Sequence, residues 1–189
     1  LSDAYDTEVE SFWEIMPSTF INKFAELAGK KVLDVGSGSG RDALILKKKR
    51  LEVVCLDASK AMIDLCWKRG LQGVIGDFSE LPFEDASFDS AWAYTSLLHV
   101  PKAEVASPLK EIYRILKPGG MLGLGMIEGD WEGYYESSDM KLPRWFSFYK
   151  REELEGLLKK GGFELVYFEV FQAGKSRKKN YLNFIAKKI

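Results

Sequence analysis

The chain has 189 residues, of which 46% are hydrophobic and 29% are charged. This length suits one domain whose core needs no disulfide or metal for stability, and the composition is that of a globular protein rather than a disordered one. The formal net charge of −1 argues against a general role in coating nucleic acid. No apolar stretch reaches about 18 residues, so the sequence predicts no membrane-spanning helix.

The two cysteines, Cys55 and Cys66, have neither metal-ligand spacing nor the pattern of a disulfide framework. We expect both thiols to be buried as small hydrophobic groups. The first residues are acidic where a signal peptide would be basic and then apolar. These features predict a reducing, cytoplasmic location and no metal site.

Short apolar runs alternate with segments of helical period, which is typical of repeated βαβ units. The pattern predicts helices over 8–27, 40–49 and 102–116, and another that Ser59 caps and that buries Met62, Ile63 and Cys66. It predicts strands over 31–35, 51–56, 71–75, 88–93 and 121–127. Because these runs are continuous rather than alternating, we expect parallel strands that are covered on both faces.

The C-terminal third differs in pattern. Residues 129–143 are aromatic, acidic and irregular, and 150–160 return to a helical period. Two further strands are predicted over 163–171 and 181–186. The connection between them is too short for a parallel crossover, so we expect the sheet to end in an antiparallel hairpin.

A glycine-rich loop, Asp34-Val-Gly36-Ser37-Gly38-Ser-Gly40, follows the first strand and opens a helix. Glycine permits a tight turn and lets a ligand approach the backbone without meeting a Cβ. In open α/β sheets ligands bind at the carboxyl ends of the strands. The loop alone is a weak signal, because nicotinamide enzymes have a similar one.

Two acidic residues follow the next two predicted strands. Asp57 stands 57 − 36 = 21 residues after Gly36, a placement that suits a carboxylate accepting hydrogen bonds from ribose hydroxyls. Asp77 can accept from an adenine amine while the ring of Phe78 packs beside the base. Either acid alone could be a helix cap or a solvated residue. Together they predict a nucleoside site.

These motifs resemble those of the class I S-adenosylmethionine-dependent methyltransferases. The glycine loop, the segment 54–59, Gly76-Asp77-Phe78, the segment 81–89 and the turn 116–120 occur in the order of that family's motifs. The resemblance implies a Rossmann-like, doubly wound α/β sheet of seven strands in the order 3-2-1-4-5-7-6 with strand 7 antiparallel. It implies S-adenosyl-L-methionine as cofactor, S-adenosyl-L-homocysteine as product, and a small-molecule acceptor of the quinone-biosynthesis type.

The resemblance also implies a role for each site residue. Gly36, Ser37, Gly38 and Gly40 would form the loop at the methionine end of the cofactor, and Asp34 would orient its ammonium directly or through water. The remaining cofactor contacts it implies are Asp57, Ala58 and Met62 at the ribose, Asp77 and Phe78 at adenine, and the backbone of Ala93 and Tyr94 at the ammonium. Arg41 departs from the small or apolar residue often found after the loop.

Three residues are candidates for catalysis. His99, the only histidine, follows the fourth strand and could abstract a proton near neutral pH, or could simply pack. Tyr94 and Tyr5 could face the acceptor, and each could equally be packed. By the family resemblance, the segment that carries Tyr5 would fold over the cofactor.

We divide this single domain into an N-terminal helical lid (1–29), a cofactor-binding core (30–127), an acceptor-side insertion (128–149) and a C-terminal helix with its hairpin (150–189). The insertion is rich in aromatic residues, which suit a partly apolar acceptor or a small core of their own. Arg144 could bind an acceptor carboxylate or pair with Glu132 or Glu136. The basic run 175–179 could touch phosphate, but such a hairpin tip is usually only solvated.

The sequence leaves two alternatives to methyl transfer to a small molecule. One is a non-catalytic protein that binds the cofactor as a sensor or partner subunit. The other is a nicotinamide-dependent oxidoreductase, whose loop spaces its glycines as G-x-G-x-x-G rather than as Gly36-x-Gly38-x-Gly40.

Overall fold

The computed structural model describes residues 18–135, 143–172 and 179–189. The helices are α1 (Ser18–Leu27), α2 (Arg41–Lys48), α3 (Lys60–Lys68), α4 (Ala106–Ile115) and α5 (Arg151–Lys160). The strands are β1 (Lys31–Val35), β2 (Glu52–Asp57), β3 (Gln72–Ile75), β4 (Phe88–Tyr94), β5 (Leu116–Ile127), β6 (Glu132–Tyr135), β7 (Arg144–Ser147), β8 (Phe163–Gln172) and β9 (Asn180–Lys188). One 3₁₀ turn, Leu97–His99, follows β4.

The main sheet has seven strands in the order β3-β2-β1-β4-β5-β9-β8. Strands β1 to β5 are parallel, and β9 runs antiparallel between β5 and β8. Because β8 and β9 are the sixth and seventh strands of this sheet, the predicted order and the antiparallel last strand are confirmed. The winding reverses between β1 and β4, so the carboxyl ends of β1, β2 and β4 border one crevice.

Helices cover the sheet on both faces. On one face, Phe20 and Phe24 of α1 pack on Trp92 at ring-centroid distances of 5.0 and 4.8 Å. On the other face, α4 and α5 contribute buried residues such as Ile112 and Leu158. A sheet buried on both faces needs apolar residues at successive positions, which explains the continuous runs seen in the sequence.

Several predicted boundaries needed correction. The helix expected to begin near residue 102 begins at Ala106, because residues 102–105 form turns. Strand β5 begins at Leu116 rather than near residue 121, since Leu116 already pairs with Phe88. Of the helix expected over 8–27, the structure describes the part from Ser18 onward, and residues 8–17 lie outside the described ranges.

The stretch 129–143, predicted to be irregular, contributes strand β6, which pairs antiparallel with β7. Ser59 occupies the predicted N-cap position of α3, but its side chain makes no capping hydrogen bond. Cys55 and Cys66 are free and buried, as expected. None of the helices in the described ranges is long and apolar enough to cross a membrane.

Candidate functional site

The glycine loop turns sharply at the end of β1, and its three glycines have different roles. Gly36, Gly38 and Gly40 have φ angles of 69°, 52° and 80°, a region that L side chains disfavour. A Cβ on Gly36 would stand 2.5 Å from the Cβ of Ser96, and one on Gly40 would stand 2.5 Å from Leu71 Cδ1. A Cβ on Gly38 would meet nothing within 4 Å. Gly36 and Gly40 are therefore needed for packing, and Gly38 borders open space where a ligand can approach.

Asp57, at the end of β2, is hydrogen-bonded to the glycine loop. Its Oδ2 accepts from the backbone N–H of Gly38 at 2.9 Å, and its Oδ1 accepts from that of Ser59 at 2.8 Å. A carboxylate offers about four lone-pair sites, so both oxygens retain capacity for a ligand hydroxyl. The loop and the second strand thus meet at one carboxylate on the cavity wall.

Asp34 and Asp42 bring two carboxyl groups to the floor of the same cavity. Asp34 lies in β1 and Asp42 in the first turn of α2, and they are 3% and 6% exposed. Burial, and then the charge of Asp42, raise the pKa of Asp34 well above its usual range. Burial likewise raises the pKa of Asp42 to about 7. The hydrogen bond from Trp92 and the charge of Arg41 both lower the pKa of Asp42, but burial outweighs them, so Asp42 is partly protonated at pH 7.

Phe78 and Asp77, the predicted adenine contacts, differ in the cavities that they line. Phe78 lines both the cavity over the glycine loop and an adjoining one, whereas Asp77 lines only the second. Asp77 Oδ1 accepts from the N–H and from the hydroxyl of Ser79, each at 2.7 Å. An adenine ring beside Phe78 would lie between the two cavities.

The cavity over the loop has a volume of about 380 Å³. Eight of the twelve predicted cofactor residues line it, namely Asp34, Gly36, Ser37, Gly38, Asp57, Met62, Phe78 and Tyr94. The other four do not line it. Gly40 packs against Leu71, and Ala93 is fully buried in β4. Ala58 is exposed outside the cavity, and Asp77 lines the second cavity.

Of the predicted catalytic candidates, His99 and Tyr94 line this cavity, and Tyr5 lies outside the described residues. His99 also lines the second cavity. Its Nδ1 lies 2.8 Å from the backbone oxygen of Trp145. A carbonyl can only accept, so Nδ1 carries the proton and Nε2 holds a lone pair. Burial lowers the pKa of His99, and the charge of Arg144 lowers it further, whereas the hydrogen bond to Trp145 raises it. Because the net shift is downward, the ring is neutral at pH 7.

Tyr94 is buried, and its ring stacks on Trp92 with centroids 5.5 Å apart. Burial, the nearby charges of Asp42, and those of Tyr181 and Glu169 raise its pKa well above the usual range. The hydroxyl therefore stays protonated at neutral pH, and Tyr94 is not suited to accept a proton.

The β6–β7 hairpin holds the segment that carries His99. Ser147 Oγ donates to the carbonyl of Val100 at 2.7 Å, and Glu132 Oε2 accepts from the N–H of Lys102 at 2.8 Å. The ring of Phe146 meets that of His99 edge to face at 4.6 Å. The hairpin also brings Arg144 to the cavity. It therefore positions one wall of the cavity.

Sequence reasoning did not find several residues that line the cavity, which are Ser39, Asp42, Ser59, Thr95 and Ser96. Asp42 resembled an ordinary acidic residue in the first turn of a helix. Thr95 has a φ of 56°, which is an outlier for a β-branched residue and is often found at functional sites. No local pattern in the sequence marks either feature, because both depend on packing against β4 and β5.

Comparison with known proteins agrees with this geometry. The model of the methyltransferase domain matches residues 33–124. A sterol 24-C-methyltransferase of Aspergillus fumigatus is 38% identical over 105 residues, which cover 51% of this chain and 27% of that protein. A demethylmenaquinone methyltransferase of Lactobacillus johnsonii is 35% identical over 136 residues, covering 62% of this chain and 55% of the relative. The chain thus spans about half or less of the length of these curated relatives.

Solved structures share the fold. An S-adenosylmethionine-dependent methyltransferase from Methanosarcina mazei superposes with a TM-score of 0.79 at 24% identity, covering 89% of this chain and 96% of that one. The 1,6-didemethyltoxoflavin-N1-methyltransferase of Burkholderia thailandensis, solved with bound S-adenosylhomocysteine, gives a TM-score of 0.74 at 22% identity over 99% of this chain and 87% of that one. The chain thus matches the methyltransferase domain over residues 33–124 and has the fold of these S-adenosylmethionine-dependent methyltransferases.

Proposed function

We propose that this chain binds S-adenosylmethionine over its glycine loop and catalyses transfer of the methyl group to a small-molecule acceptor by in-line displacement. The observation that supports the proposal is that three groups line one cavity. They are the open backbone at Gly38, the carboxylate of Asp57 and the buried carboxyl group of Asp34. A loop and two acids at neighbouring strand ends match the nucleoside, ribose and ammonium of one ligand.

The donor set fits the cofactor. Asp34 Oδ2 is buried and has no hydrogen-bond partner among the described residues. A buried carboxyl oxygen without a partner is costly, and a ligand ammonium would satisfy it. Asp57 would hold the ribose, and Phe78 would pack on adenine with Asp77 beyond it. Gly40, Ala58 and Ala93 would then support the binding residues rather than contact the cofactor.

The bound cofactor supplies an electrophilic methyl group on a sulfonium. The chain therefore needs to align the acceptor, exclude water and, where the acceptor carries a proton at the attacking atom, remove that proton. His99 is the group suited to proton removal, since its Nε2 lone pair is available and the ring is neutral near pH 7. Tyr94 would pack beside the cofactor, and Tyr5 stays a prediction from the sequence.

The acceptor is proposed to enter beside the β6–β7 hairpin, within the predicted acceptor-side insertion 128–149. The side chains there are largely aromatic, which suits a small and partly apolar acceptor. The curated relatives are named for sterols and demethylmenaquinone, which belong to that chemical class. We propose that the protein has no nucleic-acid partner, on its near-zero net charge, and that it is cytoplasmic, on its two free thiols.

The test combines ligand binding with turnover. Isothermal titration should show binding of S-adenosylhomocysteine and none of NADH, whereas binding of NADH alone would support the oxidoreductase alternative. Methyl transfer from radiolabelled cofactor to a panel of quinols, phenols and heteroaromatic amines should follow. Binding of S-adenosylhomocysteine without turnover on any of these acceptors would support a non-catalytic sensor.

His99 is tested separately. His99→Gln should lower turnover by about 10²-fold, the size of a typical acid–base contribution, and leave the affinity for S-adenosylhomocysteine unchanged. Lys60→Gln, at an exposed position on α3, is the matched control and should keep wild-type turnover. Unchanged turnover in His99→Gln would remove this residue from the mechanism.

A further inference from the structure

Asp42 is a second buried carboxyl group in the proposed cofactor site, and neither the sequence motifs nor the fold of the loop requires it. It lines the same cavity as Asp34. The two groups are close enough for the charge of Asp42 to be the second largest cause of the raised pKa of Asp34. Two buried acids beside one cavity are more characteristic of a binding site than of a folding core.

Both carboxyl groups retain an oxygen that folding does not satisfy. Asp34 Oδ2 and Asp42 Oδ1 are buried and have no hydrogen-bond partner within the described part of the chain. The other side of each group is occupied, because Asp34 accepts from the backbone N–H of Ala43 and Asp42 Oδ2 accepts from the indole N–H of Trp92 at 2.7 Å. Each acid is thus held in place beside the cavity and retains one oxygen for which the described residues provide no partner.

Trp92 gives Asp42 its orientation without neutralising it. The indole is fully buried and packs between Phe20, Phe24 and Tyr94, so its N–H has little freedom to move. An indole donates a hydrogen bond but carries no charge. The hydrogen bond from this neutral donor positions the carboxyl group without pairing it with a cation, whereas a lysine in the place of Trp92 would form an ion pair with it. The charge of Arg41, which lines the same cavity, also lowers the pKa of Asp42, but burial raises it by more.

We propose that Asp42, oriented by Trp92, is a second carboxylate for the α-ammonium of the cofactor and acts together with Asp34. This inference rests on the proposed function and extends it to specificity. A site with two carboxylates at the methionine end would favour adenosyl ligands that carry the ammonium over the same nucleoside without it. Charge-assisted hydrogen bonds from one ammonium to two fixed carboxylates would explain both unsatisfied oxygens.

The test compares three adenosyl ligands by isothermal titration. S-adenosylhomocysteine has the ammonium and the carboxylate, 5′-deoxy-5′-(3-aminopropylthio)adenosine keeps only the ammonium, and 5′-methylthioadenosine lacks both. In Asp42→Asn, the affinity for each of the two amine ligands should fall by about tenfold or more, whereas that for 5′-methylthioadenosine should change less than about twofold. The amide oxygen introduced by this substitution can still accept from the indole of Trp92, so the packing is retained.

Equal losses for all three ligands, or no loss for the two amines, would overturn the role of Asp42. If the wild-type protein binds none of the three, the proposed function itself fails, which is a different outcome. Trp92→Phe provides a second variant in case Asp42→Asn does not fold. It keeps the carboxyl group but removes its donor, and should reduce the affinity for the amines relative to 5′-methylthioadenosine. An unchanged ratio of affinities in Trp92→Phe would also contradict the proposal.

Discussion

The backbone N–H of Gly38 donates to Asp57 Oδ2 at 2.9 Å, across 19 residues of sequence. This hydrogen bond fixes the tip of the glycine loop to the end of β2 before any ligand arrives. The carboxylate that is proposed to bind the ribose therefore also shapes the loop that is proposed to bind the methionine end. Preorganisation of this kind lowers the ordering cost of binding.

Asp57→Asn should weaken binding and loosen the loop together. Both carboxylate oxygens accept from backbone N–H groups, those of Gly38 and Ser59, and an amide would turn a donor toward one of them. We expect the affinity for S-adenosylhomocysteine to fall by about tenfold or more and the free energy of unfolding to fall by about 1–3 kcal/mol. Titration calorimetry and urea unfolding measure the two effects. Retention of wild-type affinity would remove Asp57 from the site.

Alanine substitutions should separate the roles of two glycines. Gly36→Ala places a Cβ 2.5 Å from the Cβ of Ser96, so we expect a loss of several kcal/mol in the free energy of unfolding or a failure to fold. Gly38→Ala meets no atom within 4 Å and should cost only about 1 kcal/mol for its positive φ. It should nevertheless weaken S-adenosylhomocysteine binding, because its methyl group enters the ligand space. Thermal unfolding and titration with S-adenosylhomocysteine on both variants measure these effects. Wild-type affinity in Gly38→Ala would contradict the prediction.

The contribution of Asp42 to the stability of the ligand-free protein should fall as the pH rises toward 7. The pKa of Asp42 is raised to about 7 by burial, while an unfolded Asp titrates near about 3.9. Between those values the folded state binds more protons than the unfolded state, so the free energy of unfolding falls with increasing pH, by at most about 1.4 kcal/mol per pH unit for one proton. Urea unfolding across this window should show the slope, and Asp42→Asn should flatten it. A slope unchanged by the substitution would be the contrary result.

Asp89 should show the opposite dependence on pH. Its Oδ2 accepts from the N–H groups of Lys30 and Lys31 at 3.0 and 2.8 Å, and its Oδ1 binds Lys117 Nζ at 2.6 Å. The Lys117 hydrogen bond and these backbone donors lower its pKa, so its contribution is present above about pH 4 and is lost as the pH falls through the lowered value.

Asp89→Asn should therefore lower the free energy of unfolding by about 1.5–3 kcal/mol at pH 7, with a smaller difference from the wild type at pH 3. Lys117→Gln removes only the exposed cation and should cost less than about 1 kcal/mol. Urea unfolding at the two pH values checks both variants. An equal loss for Asp89→Asn at pH 7 and pH 3 would show that its charge is not responsible.

Ser147 is predicted to act through His99. The buried Ser147 hydroxyl donates to the Val100 carbonyl and accepts from Trp145 Nε1 at 3.0 Å, and Trp145 supplies the carbonyl that faces His99 Nδ1. In Ser147→Ala we expect turnover to fall by about tenfold and the pH profile to shift, with no change in S-adenosylhomocysteine affinity. Ser87→Ala, in an exposed loop, is the matched control. A loss of cofactor affinity in Ser147→Ala would indicate a general structural role instead.

Much of the fold was accessible from local pattern. The strands from β1 to β4 lie within a residue or two of their predicted limits, since a continuous apolar run needs no partner to be recognised as a buried strand. The short connection before Asn180 excluded a parallel return and so predicted the last hairpin. Strands β6 and β7 were not found, because a four-residue strand in an aromatic and acidic stretch has too few positions to show a period.

The sequence by itself determined the glycine loop and the positions of Asp34 and Asp57, because each follows from residues adjacent in the chain or from the ends of recognisable strands. The sheet order followed from the resemblance of the motifs to those of the family, and the structure confirmed it. Only the tertiary structure decided that Asp42 meets Trp92 across 50 residues and that His99 meets the backbone of Trp145 across 46. Such contacts depend on how distant segments pack against each other. The desolvation that raises the pKa of Asp42 is a property of that packing, and no local sequence pattern contains it.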